Sequence, residues 1–379
     1  MYSRPGVTSL GELSGLVIRT AQIALPSGIF GPHQVTCDRG LITSITPITS
    51  DYDEVLLAPG FIDLQVNGIG AVDVSEARGD DWKMLDRALL EQGITTWCPT
   101  FISAPLNSYP QKFAQVVAAQ ARQGDRRPAI AGVHLEGPYL GKALGAHDPR
   151  FIQDANSDWF SLLPDIVRII TLAPENVAAM SAISALRTRN IVVAIGHSKA
   201  SDMFTLGAIN AGAGLVTHLF NAMSGVHHRH DGVALVALTD DRVAVSLIAD
   251  LVHVQSRAIS LTFRAKPDAV VLVTDSIAPH SESARIRGIE LISGVPRLPD
   301  GTLAGSSLTM NIAIKNIVQQ CEVDVHLAIQ AATVTPAKIL NLADRGAIAI
   351  GKRADLVALD PEFEIRRVWI NGELALSGT

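Results

Sequence analysis

Four residues able to do chemistry each follow a short apolar run: Glu136 in GVHLEGPYL, His197 in AIGHSKAS, His218 in LVTHLFNAMS and Asp275 in VLVTDSIAP. One carboxylate and two imidazoles make a borderline-hard donor set for a single divalent ion, Zn2+ first, with Fe2+, Mn2+ or Co2+ as alternatives. Three protein ligands leave a coordination position for water, which marks a catalytic rather than a structural zinc site. On such an ion the pKa of water falls to about 7, so hydroxide is available at neutral pH. Asp275 can then take a proton from that water and return it to a leaving amine, a transfer worth about 10²–10⁴ in rate. Alone, each residue has a plainer reading. A single strand-end histidine is more often a satisfied polar group, Glu136 can cap a following helix, and Asp275 suits a turn. Their joint placement is what needs explaining.

That placement depends on the surrounding elements. The chain has 379 residues, 47% of them hydrophobic and 18% charged, against about a quarter charged in ordinary domains. Such a composition suits a parallel sheet buried on both faces. The length suits two domains, or one large barrel with an attachment. Apolar runs recur near 57–64, 93–99, 129–135, 166–172, 191–196, 213–217, 243–249 and 269–274, and helical stretches such as 80–91, 176–189 and 199–210 separate them. Eight strands alternating with helices predict an α/β fold, a (β/α)8 TIM-like barrel over residues 58–342, with extra helices in 308–342. Residues 1–57 and 343–379 read as short strands and turns, with a hairpin at Asn371-Gly372-Glu373. They are expected to form one small β-sandwich domain from both termini. In a barrel, residues just past the C-terminal strand ends share one mouth. Gln65 and Asn67 end strand 1, Glu136 strand 3, His197 strand 5, His218 strand 6, His253 strand 7 and Asp275 strand 8. Chance would scatter such residues over both ends.

The remaining features narrow the function class. A net charge of −6 gives no electrostatic case for nucleic acid or an anionic membrane. No run approaches the roughly 18 apolar residues of a membrane span. The opening MYSRPGVTSLGELSG lacks the apolar core of a secretory signal. Cys37, Cys98 and Cys321 are few and far apart, against a disulfide framework, and a cytoplasmic protein is expected. His134 shares a strand face with Glu136, one layer lower, which suits a supporting role. HHRH at 227–230 is tempting as a metal cluster, but consecutive loop residues rarely converge on one ion. Arg229 within it is the better functional candidate, since guanidinium suits phosphate. GTLAGSSLTM (301–310) either lines a pocket or is a turn and helix cap at Ser306 or Ser307.

Taken in order, APGFIDLQVNG, GVHLEGPYL, GHSKAS, THLFNAMS, VTDSIAP, GTLAGSSLTM and GKRADLVALD closely resemble the N-acetylglucosamine-6-phosphate deacetylases of the amidohydrolase superfamily. The resemblance implies a metal-dependent amidohydrolase barrel joined to a small β-sandwich. It implies one divalent ion per subunit held by Glu136, His197 and His218, with Asp275 as the acid/base. His147, in GAHDP, would orient the amide carbonyl. Ala146, His147, Asn221, Ala222, Arg229, His253, Leu303, Ala304 and Gly305 correspond to contacts with an amino-sugar phosphate, and a homodimer would complete the phosphate site. Where many amidohydrolases carry His-x-His, this chain has Gln65 and Asn67, a vestigial second-metal position whose amides are poor zinc ligands. RHDG (229–232, with His230 and Asp231), Leu251-Val252 before His253, and His280 also depart from the family's pattern.

The reaction implied is deacetylation of N-acetyl-D-glucosamine 6-phosphate to D-glucosamine 6-phosphate and acetate. A close rival keeps the chemistry and changes the sugar, for instance to N-acetylgalactosamine 6-phosphate. A non-catalytic binding protein on this fold would have lost a ligand or the acid/base, and all four residues are present. A cyclic-amide or deaminating amidohydrolase would usually show a bridging lysine or the His-x-His pair.

Overall fold

The computed structural model describes residues 15–378 apart from 123, 125, 156 and 177. Residues 1–14, which hold most of the stretch read for a secretory signal and the start of the expected terminal β segment, lie outside the described residues. The barrel strands are Phe61–Val66, Ile94–Ile102, Val133–Glu136, Val167–Leu172, Val192–Ile195, Leu215–Val216, Ala244–Leu247 and Val270–Leu272. They pair in that order and in parallel. A parallel bridge between Val66 and Ser276, with the Asp275 N–H donating to the Gln65 carbonyl at 3.0 Å, brings the last strand back to the first. This is the (β/α)8 barrel the alternation predicts. Its strands are apolar runs rather than alternating patterns because core faces one side and helices the other. Val133, Leu135, Ile169, Ile170 and Leu172 are all fully buried.

The helical stretches expected near 80–91, 176–189 and 199–210 are Asp81–Leu90, Ala179–Thr188 and Asp202–Ala211. Three helices between Met310 and Ile339 follow strand 8. Periodicity had missed two hairpins, Gly68–Ile69 with Val72–Asp73 and Glu290–Ile292 with Val295–Arg297. Their strands of two or three residues are too short to show a period. Both follow strands at the barrel mouth.

The apolar run at 57–64 is not one strand. Glu54–Pro59 belongs to the sheet of the termini, and Phe61–Val66 opens the barrel. Gly60 makes the break: its N–H donates to the Asp355 carbonyl at 2.9 Å, and a Cβ there would lie 2.2–2.7 Å from side-chain atoms of Thr95. Both segments are buried, so the run reads as continuous.

The terminal sheet runs in the order Glu373–Ser377, Ile365–Ile370, Leu356–Leu359, Glu54–Pro59, Leu16–Leu25, His33–Asp38, Leu41–Pro47. Both chain ends therefore contribute to one sheet. A flat sheet would hold its two ends apart, yet Leu41 bridges Arg353 and the Ile42 N–H donates to the Lys352 carbonyl. The sheet thus curls over its own core of Ile18, Val35, Ile42, Leu57, Leu356 and Trp369. The Asn371-Gly372 hairpin has φ of 51° and 74°, the left-handed pair that a type I′ turn requires.

Gly60→Ala is expected to lower stability by about 1–3 kcal/mol, the usual cost of forcing a methyl into filled space. Scanning calorimetry would read this as a fall of the unfolding midpoint; an unchanged midpoint would mean that Thr95 can move aside freely.

Candidate metal centre

Each functional side chain sits at or just past a strand end, and the backbone there is bent to aim it inward. Glu136 is the last residue of strand 3. His197, His218 and Asp275 follow strands 5, 6 and 8 with φ of 50°, 33° and 48°. Positive φ costs a side-chain-bearing residue about 1–3 kcal/mol and persists where the surroundings impose it. Three such residues at one barrel mouth are held by loop hydrogen bonds. Gly141 donates to the His197 carbonyl at 2.9 Å, Ser246 Oγ accepts from the His218 N–H at 2.7 Å, and Ser306 N–H donates to the Asp275 carbonyl at 2.9 Å.

Glu136, His197 and His218 converge on one point. Glu136 Oε1 lies 3.1 Å from His197 Nε2 and 2.9 Å from His218 Nε2, and the two Nε2 atoms are 3.1 Å apart. All three residues are at least 95% buried. The Ala143 carbonyl lies 3.0 Å from His197 Nδ1 and can only accept, so Nδ1 carries the proton. Burial, and then the charge of His147, push His197 down to about 4, so it is neutral near pH 7. Its bare Nε2 therefore faces a carboxylate, because Glu136 stays well below the ordinary range. Burial alone would raise Glu136, but its polar contacts with His147, His197 and His218 outweigh it. Burial also depresses His218, yet its bond to Glu136 and the charges of Glu136 and Asp275 leave it raised overall. Two lone-pair atoms and a carboxylate meeting at this distance repel one another. Only a positive charge at the point reconciles them, either a proton on His218 Nε2 or a metal ion. The donor set thus fits a divalent cation.

Spacing alone would also admit His147, since Glu136, His147 and His197 offer ligand atoms within 4.8 Å of one another. Its tautomer argues otherwise. His147 Nδ1 accepts from the Ser103 backbone N–H at 3.4 Å and lies 2.9 Å from Ser103 Oγ. The ring proton is thereby assigned to Nε2, which points toward Glu136 Oε2 3.8 Å away. A ring so fixed turns an N–H toward the centre and has no lone pair there to give a cation. Ser103, which sets this, carries no sequence signal.

Asp275 Oδ1 accepts from Gln65 Nε2 at 3.0 Å and from Asn67 Nδ2 at 2.8 Å, while Gln65 Nε2 also donates to Glu136 Oε1 at 3.1 Å. One amide nitrogen thus stands between two carboxylates. Burial, and then the negative charge of Glu136, raise the Asp275 carboxyl to about 7. The amide oxygens of Gln65 and Asn67 are buried without a partner among the described residues.

A cavity of about 580 Å³ opens over the centre. Among its lining residues are Ala146, Asn221, Ala222, His253 and Leu303–Gly305. His253 is held by Asp250 Oδ2, 2.6 Å from Nδ1, which leaves its Nε2 free of that bond. Gly305 needs its φ of 69° and bare Cα, because a Cβ would meet Ile277 at 2.5 Å. Arg229 is not brought in: it lies exposed in the HHRH loop, outside the lining of its own chain's cavity. His227 and His230 stack there with centroids 5.1 Å apart. His134 lies under Glu136, bonded to the Leu64 carbonyl and to Thr171 Oγ1. Lys112 and Arg287 also line the cavity and were missed. Lys112 was readable in principle, because it falls between Tyr109 and Val116 on the apolar stripe of the helix Tyr109–Gln120, an odd place for a lysine.

A model of the amidohydrolase family matches residues 56–375. The chain belongs to the amidohydrolase family. It is 33% identical to N-acetylgalactosamine-6-phosphate deacetylase of Escherichia coli O157:H7, over 95% of this chain and 99% of that protein. It is 34% identical to human N-acetylglucosamine-6-phosphate deacetylase, over 84% and 83%. Among solved structures it resembles an aspartate-to-alanine variant of N-acetyl-D-glucosamine-6-phosphate deacetylase from Mycobacterium smegmatis in complex with N-acetyl-D-glucosamine-6-phosphate. That likeness has a TM-score of 0.88 and 28% identity, over 96% of this chain and all of that one. As an amidohydrolase the protein is a hydrolase. No described helix is long and apolar enough to cross a membrane.

Beneath the site Asp63 is fully buried, and burial raises its carboxyl to about 7 despite hydrogen bonds from Thr274 and the Gln65 N–H. The folded chain therefore holds this proton more tightly than the unfolded chain, whose value is 3.8. The associated stability is complete below that value and is lost as pH rises through about 7. In chelator-treated protein, the unfolding midpoint of wild type relative to Asp63→Asn should fall across pH 4–7. Parallel curves would contradict the assignment.

Proposed function

We propose that the protein removes the acetyl group from N-acetyl-D-glucosamine 6-phosphate, giving D-glucosamine 6-phosphate and acetate. The observation that carries this reading is the buried meeting point of Glu136, His197 and His218 beside a carboxyl with a pKa of about 7. Those three residues would hold one divalent ion, with zinc the first candidate and Fe2+, Mn2+ or Co2+ the others. When bound, such an ion supplies a Lewis acid that polarises the acyl carbonyl and acidifies water. Asp275 works from its second oxygen, since Oδ1 is held by Gln65 and Asn67. It takes the proton of the attacking water and delivers it to the departing sugar nitrogen. A buried carboxyl raised above the ordinary range suits the return of that proton to the amine, because its acid form is more readily held. The His147 Nε2–H supports the carbonyl oxygen as negative charge develops there.

The sugar side of the reading rests on Asn221, Ala222, His253 and the Leu303–Gly305 turn around the cavity. His253, braced by Asp250, meets the phosphate. Arg229 reaches it from a second copy of the chain, which makes a homodimer the working unit. Its exposure outside its own cavity is what favours this arrangement. A cytoplasmic location goes with a phosphorylated sugar substrate. The 33% identity to the E. coli N-acetylgalactosamine-6-phosphate deacetylase makes the galactose epimer the second reading.

Acetate release measured side by side on both sugar phosphates, with zinc-loaded enzyme, tests the proposal. Turnover is expected with a preference for the glucose epimer, and Asp275→Asn should lower kcat by about 10²–10⁴. Metal content by mass spectrometry should stay unchanged in that variant. Equal activity in both proteins would remove Asp275 from its role, and a preference for the galactose epimer would move the substrate assignment.

A further inference from the structure

The cavity is larger in chemistry than the proposed reaction uses. Its residues fall into two groups on opposite sides of the metal centre. Asn221 and Ala222 follow strand 6 and His253 follows strand 7, whereas Lys112 lies on the helix after strand 2. In an eight-stranded barrel, strands 2 and 6 face each other across the mouth. Arg287, beyond strand 8, joins the Lys112 side together with Asp73, Ser75, Glu76, Ser103 and Ser281.

Both cations on that side are set rather than floating. Arg287 Nη2 donates to the Ala146 carbonyl at 2.6 Å, next to His147, and burial lowers its pKa. Lys112 Nζ lies 5.6 Å from the ring centre of Phe101 and 5.8 Å from that of Tyr109, and burial lowers its pKa as well. Among the described residues neither forms an ion pair. Asp73 influences both, with Glu76 also near Lys112 and Asp148 near Arg287, at longer range than direct contact. Asp148 is itself paired to Arg150 at 2.5 Å, and Asp73 accepts from the Ser75 N–H at 2.8 Å. Holding two cations in a half-buried cavity is costly unless a ligand draws on them. Both residues line the cavity, and Arg287 is anchored beside the histidine assigned to the acyl carbonyl.

We propose that Lys112 and Arg287 form an anion subsite on the amide side of the cavity, which takes a carboxylate carried by the substrate near its N-acyl group. This rests on the acyl-transfer reading above and extends it to N-acyl amino-sugar phosphates bearing a second acidic group. Two neighbouring positions can present that carboxylate: the far end of the acyl chain, or an ether on the adjacent C3 oxygen. In either case hydrolysis consumes one water, breaks the same C–N bond and leaves a free amine. An acyl-borne carboxylate departs as a dicarboxylic acid.

The test uses three probes with the metal-loaded enzyme: N-acetylglucosamine 6-phosphate, N-succinylglucosamine 6-phosphate and the 3-O-carboxyethyl ether of N-acetylglucosamine 6-phosphate. The readout is the ratio of kcat/KM for each carboxylated probe to that for the plain one. Arg287→Met and Lys112→Met should each lower one ratio by about 10- to 100-fold, through KM, as expected when a hydrogen bond to a charged group is lost. Asp73→Asn keeps the acceptor for Ser75 and removes a repelling charge, so the same ratio should rise. A structural role would not produce that opposite sign. Whichever probe responds identifies where the carboxylate sits. Ratios that move in none of the variants overturn the subsite, as does failure of wild type to accept or bind either carboxylated probe. If wild type turns over none of the three, the deacetylase reading fails on its own. Calorimetric binding of the same probes to wild type and Arg287→Met then decides the subsite without chemistry.

Discussion

Everything at the barrel mouth follows from one electrostatic demand: a carboxylate oxygen and two imidazole nitrogens, all on buried side chains, meet within 3.1 Å. In bulk solvent such a meeting costs little. Here burial of the three side chains weakens the screening, so the site requires a positive charge. The same requirement explains the neighbours. Glu136 keeps its charge because three histidines face it, and Asp275 tends to lose its own because Glu136 does not. Two carboxyl groups joined by one glutamine amide are thereby shifted in opposite directions, Glu136 down and Asp275 up. That separation is the kind that distinguishes a carboxylate able to hold a cation from one able to carry a proton.

The fold meets this demand by stacking polar layers inside a closed sheet. Below the centre His134 links the Leu64 carbonyl to Thr171, and Thr171 links to Thr217 at 2.6 Å. These bonds tie strands 1, 3 and 4 to the segment bearing His218. On the other side Asp63 binds Thr274 Oγ1 at 2.6 Å, which joins strand 1 to the segment bearing Asp275. The segments bearing His218 and Asp275 therefore stand on hydrogen-bonded layers, and their left-handed backbone is supported from beneath as well as from the loops. Precision of this kind is easier to maintain on strand ends than on free loops.

Much of this was legible because strands announce themselves by burial and chemistry by residue type. Glu136, His197, His218 and Asp275 could be placed at one mouth from spacing alone, since each follows an apolar run in a chain that alternates strand and helix. The break at Gly60 was not legible, because two strands of different sheets were both buried and left no polar gap between them. Nor was the tautomer of His147, which is decided by Ser103, 44 residues earlier in the chain. Arg229 illustrates the opposite failure. Its residue type is right for phosphate, but the fold leaves it exposed and outside the cavity lining, a placement that residue type does not report.

The cavity also separates two kinds of information that the motif carries together. The residues around the metal centre dictate what bond is cleaved, and they depend on distances of about 3 Å that tolerate little change. The residues around the rim dictate what is attached to that bond, and they can change without disturbing the centre. RHDG, Leu251-Val252 and His280 all lie in sequence stretches outside the Glu136–His197–His218 meeting point. Lys112 and Arg287 are likewise one element removed from it, on the helix after strand 2 and the segment after strand 8. A chain can therefore keep its hydrolytic chemistry while its rim is rebuilt for a different acidic sugar. The physical reason is that each ligand of the central cluster touches the others at about 3 Å, whereas Lys112 and Arg287 form no ion pair among the described residues and can be exchanged one at a time.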